Sequence, residues 1–272
     1  MPQATDNNAT IVTNGTPIPS PHDADTIAPV CAKVYERVHA FLNSEVEGQT
    51  LKGVQQQTRI ALGVIDECLQ RYSLEEISLS YNGGKDCLVL LILLLSALHT
   101  HSLRTSSPLP KALQSVYIIS PHPFQEVDTF VNTTLQEYHL NLVRYAKPMK
   151  EAFQQYLDDV PAVKAILVGT RRTDPHGALL THFDMTDHGW PKFMRVHPVI
   201  DWHYAEIWAF IRHLEIPYCT LYDRGYTSLG GTTDTHPNPA LKAGDNKENN
   251  DQVFRPAYEL VEDEAERLGR DW

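Results

Sequence analysis

The 272-residue sequence predicts an α/β fold, with a doubly wound, mostly parallel sheet and helices on both faces. Short apolar runs alternate with segments whose apolar residues recur at helical spacing, which is typical of such sheets. The runs predicted as strands are 77–81, 115–120, 140–145 and 165–169. Ligands bind beyond the carboxyl ends of parallel strands, so we expect the site in the loops after residues 81, 120 and 169.

Composition narrows the function classes. The formal net charge of −11 argues against a general affinity for nucleic acid or anionic membranes. The four cysteines are scattered without a CxxC pair, which predicts neither a zinc site nor a disulfide framework. No Lys or Arg precedes Lys33, and the N-terminus lacks the apolar core of a signal peptide. We therefore expect a reducing, cytoplasmic location.

The chain divides into four predicted parts. Residues 1–29 are rich in Pro, Thr, Asn and Asp and predict a disordered tail, and residues 30–235 predict the α/β domain. The polar residues 236–252 predict a flexible linker, and 253–272 a C-terminal helical segment that completes the site.

The longest apolar run lies within residues 88–98. It is too short to span a bilayer, so it predicts a buried helix that ends near His99.

A Gly-rich turn, Asn82-Gly83-Gly84, joins the first predicted strand to this helix. The unpaired N–H groups at a helix start form an anion site, and Lys85 adds a mobile positive charge. A Walker A loop would need Gly at position 79 and Ser or Thr after Lys85, and no dinucleotide Gly-x-Gly-x-x-Gly pattern follows. What fits is a pyrophosphate loop, in which Asp86 beside a triphosphate implies Mg²⁺.

Two further loops carry candidate groups. Residues 170–177 follow the fourth strand and hold two arginines and Asp174, a candidate phosphate and metal site, although a solvated polar loop is the simpler alternative. Residues 181–193 are irregular, and a planar ring could stack on Trp190 with Asp187 as acceptor. Trp190 could equally anchor the loop in the core. A short strand at 196–200 and a helix capped by Asp201 follow.

The C-terminal segment predicts a helix over 259–268. Arg267 and Arg270 lie three residues apart, so they would share a face and converge on one phosphate. Basic residues are also common at helix C-termini because of the helix dipole alone.

Six motifs stand in a fixed order along residues 80–270. They are Ser80-Tyr-Asn-Gly-Gly-Lys-Asp-Cys87, Gly169-Thr-Arg-Arg-Thr-Asp-Pro-His-Gly177, Thr186-Asp-His-Gly-Trp-Pro191, His197-Pro-Val-Ile-Asp-Trp202, Tyr226-Thr-Ser-Leu-Gly-Gly231 and Glu266-Arg-Leu-Gly-Arg270. Together they resemble the fungal-type FAD synthases, or FMN adenylyltransferases, a group related to phosphoadenylylsulfate reductases with an adenine nucleotide α-hydrolase-like fold. The broader pyrophosphate-loop pattern has Ser where this chain has Asn82 and Cys87, whereas the FAD synthases use the Asn and Cys form.

The resemblance implies the reaction ATP + FMN → FAD + pyrophosphate, with Mg²⁺. It implies catalytic roles for Asn82, Asp86, Asp174, Arg267 and Arg270. It implies ligand-binding roles for Leu79, Ser80, Asn82, Gly83, Gly84, Lys85, Ile118, Ile119, Gly169, Thr170, Arg171, Asp187, His188, Gly189, Trp190 and Arg270, with Asp86 and Asp174 as metal ligands. Within this set Ile118 and Ile119 would border adenine, Asp187 and Trp190 the flavin, and Arg267 and Arg270 the FMN phosphate.

Three alternatives stay open at this point. A sulfonucleotide reductase would need a reactive cysteine near its C-terminus, and none follows Cys219. An ATP sulfurylase small subunit would leave Trp190 and the C-terminal motif unexplained, and a non-catalytic flavin or nucleotide carrier would not require Lys85, Asp86 and Asp174. We expect a monomer that uses ATP and FMN, binds no nucleic acid or membrane, and could hand FAD to apo-flavoproteins.

Overall fold

The computed structural model of the chain describes residues 26–245 and 252–271, apart from the side chains of residues 244, 245 and 252. Its elements in chain order are α1 (Ile27–Asn43), α2 (Gln49–Arg71), β1 (Ile77–Ser80), α3 (Lys85–Thr105), β2 (Leu113–Ile118), α4 (Gln125–Glu137), β3 (Leu140–Tyr145), α5 (Met149–Asp159), β4 (Ala165–Leu167), β5 (Phe183–Met185), β6 (Met194–Val196), α6 (Tyr204–His213), β7 (Lys242–Asp245) and β8 (Gln252–Phe254). Short 3-10 helices lie at Thr220–Arg224, Pro239–Leu241, Ala257–Glu259 and Asp263–Ala265.

The central sheet has the strand order β3-β2-β1-β4-β6-β5. All neighbours pair in parallel except β5, which runs antiparallel at one edge. The chain moves outward from β1 to β3 and then returns to the other side of β1 with β4, so the strand order reverses between β1 and β4. Ligands bind at such a reversal, and the loops after β1 and β4 are therefore brought together here. The doubly wound, mostly parallel sheet is confirmed.

Both faces of the sheet are covered, but unequally. Side chains along β2 alternate: Leu113 and Tyr117 join a large core that also contains residues of α1, α2, α3, α4 and α6. Val116 joins a smaller core on α5, around Phe153 and Tyr156. This period of two places one apolar set on each face, as expected for a strand buried on both sides.

Helix α3 is the centre of the larger core. Every residue from Leu88 to Leu98 is buried, and α3 packs against α1, α2 and α6. The helix continues to Thr105, past the predicted end near His99, so at 21 residues it is long and apolar enough to cross a membrane by length and composition alone. Its most apolar window is 67% buried by the surrounding chain, and the core helix of a globular fold passes the same test.

Several predicted boundaries are corrected. Helix α1 begins at Ile27, so residues 27–29 are not part of a tail, and residues 1–25 lie outside the described part. The irregular stretch 181–193 contains β5, and the strand predicted at 196–200 is β6, three residues long and beginning at Met194. These two strands pair with each other as a hairpin. Runs of three residues are too short for the sequence pattern to predict this pairing.

The C-terminal predictions also change. Within the predicted linker, the structure has the 3-10 helix at Pro239–Leu241 and the paired strands β7 and β8, while residues 246–251 lie outside the described part. The helix predicted over 259–268 is wrong, because the segment forms only two short 3-10 turns. Asp263 and Glu266 instead direct their carboxylates inward to buried cations. Tertiary contacts of this kind override local helix propensity.

Helix α6 begins two residues later than predicted. Its N-cap is His203, whose N–H donates to Glu206 Oε2 at 2.8 Å. The Asp263 carboxylate accepts from Tyr204 N–H at 2.7 Å and lies 2.6 Å from His203 Nδ1. Asp201, the predicted cap, pairs with Arg172 instead.

We expect Gly83→Ala to destabilise the protein by about 1–2 kcal/mol. Gly83 has a φ of +76°, and a Cβ there would lie 2.7 Å from Val131 Cγ2. The matched control is Gly63→Ala in α2, where a Cβ meets nothing within 4 Å, and which should stabilise by roughly 0.5–1 kcal/mol. Urea denaturation of both variants measures the free energies of unfolding, and equal effects would contradict this account of the turn.

We expect His203→Asn to destabilise the protein more at pH 5.5 than at pH 8.5. The hydrogen bond that the His203 ring donates to the Asp263 carboxylate raises the pKa of His203. Since the folded state holds the proton more tightly, this stabilisation is complete below the unfolded pKa of about 6.5 and is lost as pH rises through the folded pKa. The side chain is 64% exposed, so the difference should be only a few tenths of a kcal/mol, roughly the size of other exposed pairs.

The control for this comparison is His176→Asn. His176 is exposed and has a φ of 64°, which Asn tolerates well. Denaturation at both pH values should show no pH-dependent difference for this variant. A His203 effect independent of pH would remove the ion pair as its cause.

Candidate active site

The loop after β1 is fixed by hydrogen bonds to the side chain of Asn82. Gly84 is the N-cap of α3, and its N–H donates to Asn82 Oδ1 at 2.9 Å. The thiol of Cys87 donates to the same oxygen at 2.9 Å. Burial raises the pKa of Cys87 to about 12, so it stays a thiol. The exposed Asn82 amide keeps its N–H donors for a ligand, since no acceptor for them occurs in the described residues.

The first turn of α3 presents further donors. The N–H of Lys85 donates to the Tyr222 hydroxyl at 2.9 Å. The next N–H groups, those of Asp86 and Cys87, have no acceptor within the helix. A Cβ at Gly169 would lie 2.8 Å from the Cys87 nitrogen, so glycine is needed where the loop after β4 crosses this turn. The two loops thus meet at the reversal of strand order, where the sequence predicts the anion site.

Arg171 is the most buried charge of the site. Its side chain is 0% exposed, and its Nε lies 2.8 Å from Asp86 Oδ1. The guanidinium also pairs with Glu266 through Nη2, and its Nη1 lies 3.3 Å from Asp263 Oδ1. Its own backbone N–H donates to Asp174 Oδ2 at 2.8 Å. One side chain therefore joins the loops after β1 and β4 to the C-terminal segment, and removing one partner of such a buried set costs roughly 3–5 kcal/mol.

Lys85 is not the mobile charge that we expected. Its side chain is 2% exposed, and its Nζ lies 2.9 Å from Asp86 Oδ2 and 2.5 Å from Glu266 Oε1. The ring of Tyr204 lies beneath it, 5.0 Å from Nζ to the ring centroid. Tyr204 is itself fixed, because its hydroxyl donates to Ala257 O at 2.8 Å. Carboxylates and a ring therefore surround this ammonium on several sides.

The two predicted metal ligands differ electrostatically. Burial alone would raise the pKa of Asp86, but the charges of Arg171 and Lys85 outweigh it and hold that pKa below its usual range. Burial, followed by the negative charge of Asp86, raises the pKa of Asp174. Asp174 Oδ1 lies 3.8 Å from the Arg171 guanidinium, whereas both oxygens of Asp86 face a cation at 2.8–2.9 Å. An additional cation would therefore relieve Asp174 more than Asp86.

The donor set fits magnesium. No group of three or more His, Cys, Asp or Glu side chains suited to a metal occurs in residues 26–245 and 252–271. Mg²⁺ usually takes one or two protein carboxylates and completes its shell with water and substrate phosphates. Asp86 and Asp174 are two carboxylates of this kind, and burial followed by the charge of Asp86 raises the pKa of Asp174.

Arg270 lies at the other side of the site. Its side chain is 17% exposed and its Nη2 lies 3.3 Å from Asp234 Oδ1. A Cβ at Gly230 would lie 2.3 Å from this guanidinium, so the glycine gives it room. The segment that contains Gly230 is attached to the loop after β2, since Thr232 N–H donates to His122 O at 2.7 Å. Arg270 is thereby brought to the predicted adenine-bordering end of β2.

Most of the other residues predicted to bind ligands lie at or near the carboxyl ends of the parallel strands. Leu79 is fully buried in β1, whereas Ser80, Ile118, Ile119 and Thr170 are partly buried near the carboxyl ends of β1, β2 and β4. Arg267 is partly buried, and its backbone carbonyl accepts from the N–H of Arg270 at 3.0 Å. Its predicted pairing with Arg270 on one helix face is replaced by this tight turn.

The predicted flavin loop is not adjacent to the phosphate loop. Asp187, His188, Gly189 and Trp190 lie in the turn between β5 and β6, and Met194 of β6 pairs in parallel with the first residue of β4. The turn therefore begins at the amino edge of the sheet. It folds along α5, where the rings of Trp190 and Phe153 lie 6.4 Å apart. Trp190 is thus in part the core anchor of the alternative interpretation, while Asp187 and His188 are exposed.

The sequence analysis did not identify four residues that contact Lys85 or Arg171. They are Glu266, Asp263, Tyr222 and Tyr204. Glu266 opens a motif that we quoted, but only its arginines suggested a ligand. No local pattern marks the other three, because their contacts with Lys85 and Arg171 join segments far apart in sequence.

Comparison with known proteins identifies the family. The phosphoadenosine phosphosulfate reductase domain family matches residues 76–158 and 144–237. A probable FAD synthase of Schizosaccharomyces pombe is 41% identical over 238 residues, 88% of each chain, and the flavin adenine dinucleotide synthase of Saccharomyces cerevisiae is 32% identical over 84% of this chain and 79% of its own. Candida glabrata FMN adenylyltransferase, in complex with FMN and the ATP analogue AMPCPP, has a TM-score of 0.85 at 30% identity over 92% of this chain and 99% of its own. This chain therefore belongs to the FAD synthases, the ATP-dependent FMN adenylyltransferases that carry a phosphoadenosine phosphosulfate reductase domain.

Proposed function

We propose that the chain carries out its family's reaction at the junction of β1 and β4, transferring AMP from ATP to FMN to give FAD and pyrophosphate. The observation that carries this proposal is the convergence of the phosphate loop, Arg171 and the Arg270 segment on one end of the sheet. In-line transfer of this kind depends on positioning and charge neutralisation more than on a covalent intermediate. The buried thiols are in keeping with this, since Cys219 is the last cysteine and burial raises its pKa.

The leaving pyrophosphate would be held mainly by neutral donors. The Asn82 amide and the N–H groups of the first turn of α3 point toward the loop, and the helix dipole favours an anion there. The enclosed ammonium of Lys85 adds its field across this turn, without Nζ being presented to solvent. A carboxylate as close as Asp86 is tolerated because two cations neutralise it.

We propose Mg²⁺ as the cation that joins the triphosphate to this site. Asp174 would be its principal protein ligand and Asp86 the second carboxylate, positioned by Arg171. The ion would supply charge neutralisation on the phosphate oxygens. Asp174 would then be held ionised, against the effect of its surroundings.

Arg270 is proposed to receive the FMN phosphate. It lies in a glycine-lined recess beside the loop after β2, and burial lowers its pKa, although the group stays charged because an arginine remains far from neutral. A planar guanidinium binds phosphate in a bidentate manner. Asp234, its present partner, is 44% exposed and can release it to a stronger anion.

The flavin ring is proposed to extend over the α5 face toward Trp190. The three residues of β4 span only about 10 Å, at about 3.3 Å per residue, so a long ligand can reach from the carboxyl edge of the sheet to the turn at its amino edge. Asp187 and His188 are available there as polar partners. A monomeric state, a cytoplasmic location and transfer of FAD to apo-flavoproteins stay predictions from the sequence.

The test is release of pyrophosphate from ATP, measured with and without FMN and alongside chromatographic detection of FAD. We expect release that requires FMN and matches FAD one for one, and that stops when EDTA removes the divalent cation. Release that ignores FMN and responds to sulfate would support the sulfurylase alternative. Binding of FMN or ATP without release would support a carrier.

We expect Arg270→Met to lower kcat/KM for FMN by about 100-fold, because a charged donor that positions the attacking FMN phosphate is lost. Steady-state kinetics with FMN varied at saturating ATP measures this. The control is Arg255→Met in the same segment, where the arginine is 47% exposed and pairs with Glu259 on the surface. Equal kinetics in the two variants would remove Arg270 from the site.

A further inference from the structure

Glu266 lies between two buried cations, Lys85 at the phosphate loop and Arg171 in the loop after β4. Its side chain is 5% exposed, its Oε1 lies 2.5 Å from Lys85 Nζ, and its Oε2 accepts from the Arg171 guanidinium. A carboxylate with this burial is stable only when cations and hydrogen-bond donors surround it. Both cations come from the strand-end loops, whereas Glu266 comes from the C-terminal segment, so this one group crosses between them.

The backbone of Glu266 is fixed as firmly as its side chain. Its carbonyl accepts from Thr227 Oγ1 at 2.5 Å and from Asn238 Nδ2 at 3.3 Å. Asn238 is fully buried, and its Nδ2 also donates to Thr227 Oγ1 and Ala265 O. Movement of the carboxylate would therefore move the surrounding segment with it.

Arg270 follows four residues later on the same segment. The segment turns tightly, with Arg270 N–H donating to Arg267 O, and Thr235 and Arg270 form an antiparallel bridge. His236 N–H donates to Gly269 O at 2.8 Å. Few freely rotating residues separate Glu266 from Arg270, so the position of the first constrains the position of the second.

Lys85 has little to offer a phosphate directly in this arrangement. Its Nζ contacts Asp86, Glu266 and the ring of Tyr204, and 2% of its side chain is exposed. A lysine that bound the leaving pyrophosphate would need at least one donor directed into the open loop. The contacts instead direct its charge toward the C-terminal segment.

We propose that Glu266 is a positioning residue that couples the two substrate sides, by holding the Arg270 segment against Lys85 of the phosphate loop and Arg171 of the loop after β4. The proposal rests on the proposed function, because it takes Arg270 as the FMN-phosphate group. It deepens that function by making recognition of FMN depend on Lys85, a residue on the ATP side. Lys85 is then also a positioning residue.

The test compares Glu266→Gln, Lys85→Met and the double variant. We expect each single change to raise KM for FMN at least tenfold, with a smaller effect on KM for ATP, and the double variant to be no worse than the more impaired single one. Glu259→Gln is the control, since Glu259 lies in the same segment, is 44% exposed and pairs with Arg255 on the surface. It should stay within twofold of the wild type.

Tryptic cleavage after Arg267 in the native protein supplies a readout that needs no turnover. Loss of the Glu266 contacts should accelerate this cleavage at least tenfold, with little change in cleavage after Arg104, which is 45% exposed in the last turn of α3. If Glu266→Gln does not fold, Lys85→Met replaces it in the test. That variant should fold because Arg171 remains paired with Glu266, and it must still show both effects.

Multiplicative effects of the two single changes, or a Lys85→Met effect confined to ATP, would overturn the coupling and make Lys85 a direct phosphate ligand. Unchanged cleavage in Glu266→Gln would overturn it as well. Failure of the wild type to form FAD contradicts the proposed function, whereas a wild type that forms FAD beside a Glu266→Gln variant that behaves like Glu259→Gln contradicts only this inference.

Discussion

The contact on which the site depends is the buried guanidinium of Arg171. It reaches Asp86 in the first turn of α3 and Glu266 in the C-terminal segment, and its own loop follows β4. Because the charge is fully buried, each of these carboxylates must stay in place to compensate it. Three segments far apart in sequence are thereby held in one arrangement around the phosphate loop.

Charge balance explains why this arrangement suits a nucleotide enzyme. Lys85 and Arg171 face four carboxylates, those of Asp86, Asp174, Asp263 and Glu266, so the fully ionised cluster carries two more negative than positive charges, apart from His203. The raised pKa of Asp174 is one sign of this excess. A cluster of this kind attracts a divalent cation, and a cation in turn admits a triphosphate that the carboxylates alone would repel.

The backbone of the site follows from a few glycines and one polar side chain. Gly83 supplies a positive φ, Gly169 allows the loop after β4 to cross α3, and Gly230 leaves room for Arg270. Asn82 caps the loop with its oxygen and retains its amide donors. This division of roles explains how the Asn and Cys form of the loop can replace the more common serines.

The sequence by itself determined the fold class, the phosphate loop and the family, because glycine spacing, apolar periodicity and the order of motifs are local properties of the chain. It also predicted Asp86, Asp174, Arg171 and Arg270 as site residues from the motifs in which they stand. Only the tertiary structure decided that Lys85 is enclosed, that Glu266 joins the two sides, and that the C-terminal segment is not a helix. Those outcomes depend on ion pairs between residues up to 181 positions apart, which no window along the sequence can contain.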